Sequence, residues 1–385
     1  MNDLFKRVIS ITLIIIFGLI FLSFFKNTQN IDSFAYVVAI GLDKGTNNNL
    51  KLTFQTLSPE SGSESSGSSS GSKSSSIINT SIECSTINSG IQLIESYIGS
   101  KQLNLSHCQS LIFSEELAYD GISEYIYTFI GNTQISHSSN VLVSRCSAEY
   151  YLKNSESIYE KLVSKYYNTS PKYYRHTGNT DDISLVEFFS SLNNTFREPT
   201  AILSSVNSTE TNVDNNYVSN FSTDSSFKAG EAPISHENTG IEDVGLAVFK
   251  EDRIVGELSA IETMAYLMTN NKFQSCELTI LSPFDENSNI DFSLSKKGDT
   301  KCTVDIINGS PFITVNVDLN ARILSMNENS DYSSSYVLTA LENAINEYLS
   351  TVLYEYLYKT SIDYGADISG FGKYALAKFL TINDW

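Results

Sequence analysis

An uncharged apolar run near the N-terminus constrains this chain more than any other feature. Residues 8–25 carry no charge, and basic side chains flank them, Lys6 and Arg7 before the run and Lys26 after it. As a helix rising about 1.5 Å per residue, the run would span about 27 Å, close to the thickness of a bilayer's hydrocarbon core. We therefore predict a membrane anchor over residues 1–30 with one transmembrane helix, a cytoplasmic N-terminus and an extracytoplasmic bulk. The alternative is a cleaved secretion signal, although the run lacks the small residues of a cleavage site.

Composition indicates an exported, folded chain. Of the 385 residues, 41% are hydrophobic, and 22 Tyr and 21 Phe suffice to fill the cores of two or three domains. The net charge of −19 argues against nucleic acid as a partner and against a basic patch on anionic lipid. The five cysteines are odd in number and widely spaced, which is a poor basis for a disulfide framework, although a Cys276–Cys302 bridge stays open.

The pattern after residue 30 predicts an N-terminal mixed α/β domain over residues 31–150. A hairpin comes first, since two strand-like segments flank a Gly/Asn-rich turn. The Ser/Gly-rich stretch 60–76 cannot bury a core and is expected to be a flexible loop inside this domain, because the strand pattern resumes after it. The predicted elements are strands 35–43, 50–57, 77–82, 110–113 and 140–144, and helices 88–98 and 114–129.

Residues 151–238 are predicted to be a middle helical region that ends in a polar linker, residues 207–238, the best boundary candidate. A C-terminal α+β domain is predicted over residues 239–385, and its longest helix ends before Gly365. The fold class is thus α+β or mixed α/β, with mixed and antiparallel sheets packed by helices. The elements predicted here are helices 150–167, 183–196, 261–268 and 335–362, and strands 201–206, 244–249, 253–258, 276–281, 290–294, 302–307 and 312–319.

Four short segments occur in an order that is known from one family. They are residues 35–44 (AYVVAIGLDK) with the strand and Pro59 that follow, 106–118 (SHCQSLIFSEELA) with Gly121 and Ile122, 245–256 (GLAVFKEDRIVG) with Glu262 and Thr263, and 367–372 (DISGFG). Together they resemble the Ger(x)C spore germination proteins, which are the C subunits of germinant receptors.

This resemblance implies a non-enzymatic subunit that works with two integral-membrane subunits, A and B, in the inner membrane of a spore. It also implies a requirement for this subunit in nutrient-triggered germination. The family is usually anchored through an acylated cysteine just after the signal segment, and this chain has no cysteine before Cys84. The apolar N-terminal helix is therefore the expected substitute. The family also continues past the tryptophan that Trp385 matches, so the C-terminal sheet is expected to lack an edge.

No residue pattern predicts a catalytic, cofactor or metal site. The histidines are scattered, and the adjacent pair His107-Cys108 would point to opposite faces of a strand. Gly370 and Gly372 could form a phosphate cradle, but two glycines after a helix indicate a turn more strongly. Residues Asp285 to Asn289 could form a calcium loop, but they fit a solvated turn better. The tyrosines of the longest helix fit core packing or a protein-docking face. They are Tyr348, Tyr354, Tyr356 and Tyr358.

Two functions from other classes remain alongside the receptor subunit. An exported, membrane-tethered protein that binds a small molecule, a germinant included, would need a concave pocket with a few convergent polar groups. A cell-surface hydrolase would need a serine or aspartate beside a histidine in space. The sequence alone does not decide between the receptor subunit, the binding protein and the hydrolase.

Overall fold

The computed structural model describes residues 2–24, 33–46, 49–57, 77–155, 163–207, 226–232, 240–285, 288–307, 310–326 and 334–376. The predicted loop 60–76 lies outside these ranges. The strands on its two sides nevertheless pair antiparallel, with Leu57 opposite Ile77, so both belong to one sheet.

A nine-stranded mixed sheet forms the centre of the described chain. Its strand order is β3-β2-β1-β5-β6-β7-β8-β9, with β4 beside β1. Strands β1, β5, β6 and β7 run parallel to one another, whereas the outer pairs are antiparallel, so the carboxyl ends of four strands meet at one edge. The bounds are β1 Phe34–Lys44, β2 Leu50–Leu57, β3 Ile77–Cys84, β4 Gln102–Asn104, β5 Ser110–Ser114, β6 Asn140–Ser144, β7 Thr200–Asn207, β8 Gly240–Lys250 and β9 Arg253–Leu258.

Helices cover this sheet, and every residue of β5 and β6 is buried, as expected for parallel strands covered on both faces. Their sequences, SLIFS and NVLVS, are correspondingly apolar apart from their ends. Over the whole described chain, including helices that do not lie on this sheet, the helices are α1 Asn2–Phe24, α2 Ile87–Ile98, α3 Glu115–Asp120, α4 Ser123–Gly131, α5 Ala148–Lys153, α6 Val163–Thr169, α7 Tyr174–Thr177, α8 Leu185–Leu192, α9 Ala260–Thr269, α10 Ser335–Tyr358 and α11 Gly372–Leu376.

The C-terminal part adds a three-stranded antiparallel sheet and a separate hairpin around the long helix α10. The sheet order is β10-β11-β14, and the hairpin is β12-β13. A buried stripe on α10 packs into this part, and the helix runs into a single π turn, Lys359–Asp363, before Gly365 at φ +58° ends it. The strands are β10 Ser275–Leu281, β11 Asn289–Lys296, β12 Lys301–Ile307, β13 Ser310–Asn316 and β14 Leu319–Met326.

The structure confirms the mixed α and β character and most predicted elements, and it corrects two helices. The predicted helix 150–167 is interrupted at residues 154–155, after the end of α5. The predicted helix 114–129 is divided into α3 and α4 at Gly121, whose φ is +112°. The cause lies far along the chain, because Ile122 N–H donates to the Asp252 carbonyl and Ser123 Oγ donates to the Asp252 carboxylate at 2.6 Å. The predictions also missed β4 and β14.

The described part of the chain contains no helix long and apolar enough to cross a membrane. Of the predicted transmembrane helix over residues 8–25, residue 25 and the side chains from 19 onward lie outside the description.

The predicted linker 207–238 is largely outside the described ranges, but the sheet continues across it. Strand β8 pairs antiparallel with β7, and Val206 lies opposite Ile241. The strands before and after the linker therefore share one hydrophobic core. The division into residues 1–30, 31–150, 151–238 and 239–385 stays a proposal.

Candidate functional site

Two glycines of the sequence motifs lie where chain segments approach too closely for a side chain. At Gly245 the φ is +89°, and a Cβ would sit 2.2 Å from the Leu258 carbonyl oxygen. A Cβ on Gly256 would sit 2.1 Å from Cζ of Tyr364, whose hydroxyl donates to the Glu257 carbonyl at 3.0 Å. These motif positions are therefore explained by packing.

The DISGFG segment forms a turn that joins the C-terminal part to the N-terminal part. Asp367 accepts hydrogen bonds from the N–H groups of Phe371 at 3.0 Å and Gly372 at 2.7 Å. Gly370 has a φ of +68°, and Arg197 Nε donates to the Ile368 carbonyl at 3.1 Å. Because its own aspartate already occupies two of its backbone donors, the segment fits a structural turn better than a phosphate cradle.

A half-buried ion network lies beside this turn. Lys272 Nζ contacts Asp181 at 2.6 Å and Glu187 at 2.7 Å, and Arg197 Nη2 donates to the Tyr266 hydroxyl at 2.6 Å. Burial raises the pKa of Asp181, while the Lys272 ammonium opposes that shift. Contacts of this kind join residues 121–123 and 181–198 to residues 252–272 and 366–372. We call this set of contacts the seam. Removing one partner of such a buried pair costs far more than the pair contributes.

A cleft opens where β1, β5 and β6 end, which is the usual place for a ligand in a sheet with parallel strands. We call it the strand-end cleft; its volume is about 480 Å³, within the usual range for ligand pockets. Asp43, at the end of β1, accepts from the N–H groups of Ala148 at 2.7 Å and Glu149 at 2.9 Å, which fixes α5 against the sheet. The lining residues are Asp43, Lys44, Lys51, Ser114, Glu115, Glu116, Tyr119, Arg145, Cys146 and Ser147.

Charged side chains of both signs line the cleft, and the acidic ones have fewer oppositely charged partners than the basic ones. Arg145 is held by Glu231 at 2.7 Å and by Glu257 at 3.3 Å. Burial raises the pKa of Asp43, and the two backbone donors oppose the shift. Burial, followed by the Glu257 carboxylate, also raises the pKa of Glu115. Asp43 and Lys44 lie in one family motif, and Ser114 to Glu116 lie in another, but the sequence predicted no site there, because these strand ends are far apart in the chain.

The structure brings none of the described histidines into the cleft. His107 packs edge-on against Tyr36, with 5.1 Å between ring centroids, and His176 lies beside Tyr173. His236 is outside the described residues. In the described ranges no group of three or more His, Cys, Asp or Glu side chains is placed to hold a metal ion.

The cysteines and the Asp285 to Asn289 segment, which the sequence left open as a disulfide and a calcium loop, do not come together in one site. All five cysteines are free, and Cys276 Sγ lies 3.4 Å from Met264 Sδ rather than bonded to Cys302. Burial raises the pKa of both Cys108 and Cys276 to about 12, so neither thiol is an activated nucleophile. Ser288 Oγ donates to Asp285 at 2.8 Å, and residues 286–287 are not described.

The tyrosines of α10 divide between the core and the surface. Tyr356 is fully buried, and its hydroxyl lies 2.7 Å from Ser369 Oγ, so it fastens the helix to the DISGFG turn. Tyr354 is 70% exposed and Tyr358 52% exposed, so the docking-face alternative stays open for these two.

Comparisons with known proteins match two parts of the chain in order. The model of the spore germination protein N-terminal domain matches residues 27–207, and that of the spore germination B3/GerAC-like C-terminal domain matches residues 244–385. None of the curated proteins compared with the chain matches it. A solved structure described as the crystal structure of the GerBC protein is similar, at 16% identity over 91% of this chain and 90% of that chain, with a TM-score of 0.48.

Proposed function

The chain belongs to the Ger(x)C family of spore germination proteins, and on that premise we propose that it is a non-enzymatic C subunit of a germinant receptor. In this proposal it assembles with the integral-membrane A and B subunits and is required for nutrient-triggered germination. It works in association with the spore inner membrane, with the bulk of the chain outside the cytoplasm.

The observation that carries the proposal is the match of both family domains, in order, over residues 27–207 and 244–385. The seam supports it, because Ile122, Asp252 and the DISGFG turn, which belong to three of the motifs that carry the resemblance, hold one part of the chain to the other. The buried, high-pKa thiols of Cys108 and Cys276 likewise offer no nucleophile.

The test is a deletion strain complemented with the full chain. We expect deletion to abolish or slow nutrient-triggered germination and the wild-type chain to restore it. Affinity purification of the tagged chain from spore membranes should recover the A and B subunits. Normal germination in the deletion strain, together with a purified chain that never carries the other two subunits, would overturn the proposal. Turnover of a substrate by the purified chain would overturn its non-enzymatic part.

A second candidate function is supported by the strand-end cleft. An exported, membrane-tethered binding protein needs a concave site with a few polar groups, and this cleft has the volume and a mixture of charges. Binding of a small molecule by the purified chain, with germination unaffected by its deletion, would favour this function over the first.

A further inference from the structure

Two polar groups in the strand-end cleft lack adequate partners. Ser114 is 5% exposed, and its Oγ makes no hydrogen bond of ordinary length and angle to any described residue, although it lies near enough to Asp43 to lower the pKa of that carboxyl. The neighbouring Glu115 carboxylate is half-buried and faces a second acid, Glu257. A buried hydroxyl without a good partner carries a desolvation cost of about 1–3 kcal/mol, which a bound ligand would relieve.

The basic side chains of the cleft already have acidic partners. Lys44 pairs with Asp120 at 2.7 Å, and Arg145 pairs with Glu231. Lys51 pairs with Glu149. Glu115 has no such counter-ion among the described residues. A hydrogen bond from Tyr119 and the more distant charges of Arg145 and Lys228 lower its pKa by less than burial and Glu257 raise it. The cleft therefore presents an incompletely neutralised carboxylate beside an available hydroxyl.

We propose that the strand-end cleft binds a small organic molecule through a protonated primary amine, which donates hydrogen bonds to the Glu115 carboxylate and the Ser114 hydroxyl. An ammonium group has three donors and one positive charge, so it satisfies both groups at once. The volume of 480 Å³ leaves room for an organic body as well as the ammonium. An anion would meet unfavourable charge from Asp43 and Glu115, because Lys44, Lys51 and Arg145 are each already paired with an acid. The inference rests on the second candidate function, and its failure leaves the receptor-subunit proposal untouched.

The experiment is saturation-transfer NMR on the purified full chain with ethanolamine as the probe. Methylammonium chloride, potassium chloride and sodium acetate serve as competitors at constant ionic strength. We expect ethanolamine to bind, methylammonium to displace it, and potassium and acetate to leave it bound. Affinity should fall as the pH falls and Glu115 takes up a proton, because its neutral form no longer attracts an ammonium group; the groups that face it are Tyr119, Arg145, Lys228 and Glu257.

Glu115→Gln should weaken ethanolamine binding about tenfold or more, because it removes a charge-assisted hydrogen bond. Ser114→Ala should weaken it by a smaller factor. Glu347→Gln, an equal change of charge on the exposed face of α10, is the matched control and should bind as the wild type does. The proposal is overturned if ethanolamine does not bind, if Glu115→Gln binds it normally, or if potassium competes as well as methylammonium, which would indicate an alkali-cation site.

Discussion

The contact between Gly256 and Tyr364 gives the sharpest test of how the C-terminal part packs on β9. In Gly256→Ala the new Cβ would lie 2.1 Å from Tyr364 Cζ, whereas carbon atoms in contact lie about 3.5–4.0 Å apart. The ring must therefore move by more than about 1 Å. Its hydroxyl would then leave the Glu257 carbonyl, at 3.0 Å, and the Glu257 N–H, at 3.3 Å.

Two costs contribute to the expected loss of stability. Forcing an extra carbon into a packed site costs about 1–3 kcal/mol, and each lost hydrogen bond costs about 1 kcal/mol. We expect Gly256→Ala to lower the free energy of unfolding by about 3 kcal/mol, measured by urea denaturation with circular dichroism. Gly240→Ala is the matched control, because a Cβ there meets no heavy atom within 4 Å, and its effect should stay within about 0.5 kcal/mol.

A double-mutant cycle separates this contact from a general intolerance of alanine in β9. Tyr364→Ala removes the ring and its hydrogen bonds, so adding Gly256→Ala to that variant should cost less than about 1 kcal/mol more. Two effects that simply add would refute the reasoning, since they would show that the cost of the added methyl group does not come from the tyrosine ring.

Three further predictions concern a turn, an acid and a loop. Gly370→Ala should destabilise by about 1–2 kcal/mol in thermal melts because its φ is +68°, whereas Gly372→Ala, where φ is not positive, should cost less. Hydrogen bonds from two lysines lower the pKa of Glu149 to about 2. The stability that the ionised carboxylate contributes is therefore complete above its ordinary pKa of 4.5 and is lost as the pH falls toward 2. In an acid titration, the free energies of unfolding of wild type and Glu149→Gln should converge between these two pH values. Deleting residues 62–75 should change the free energy of unfolding by only about 1 kcal/mol, and loss of cooperative unfolding would contradict this prediction.

The sequence by itself determined the features that depend on neighbours along the chain. Alternation and turn residues located the β1–β2 hairpin and the return from β12 into β13, because these elements form through contacts between residues close in sequence, and a short apolar run located the buried strand β6. The helical stripe of Leu341, Ile345 and Leu349 located α10 in the same way, and Gly365 marked its end. The ordered motifs indicated the family, which the family comparisons confirm.

The tertiary structure decided what depends on residues far apart in the chain. Asp252 breaks the predicted helix at Gly121, through a contact with Ser123 across 129 residues that no local pattern encodes. Strand β14 was missed because its edge position leaves a weak alternation of buried and exposed residues. The strand-end cleft and the seam also arise only when the sheet order brings separate strand ends and loops together. Each is a matter of topology, and a local pattern of residues predicts elements without fixing how they are arranged in space.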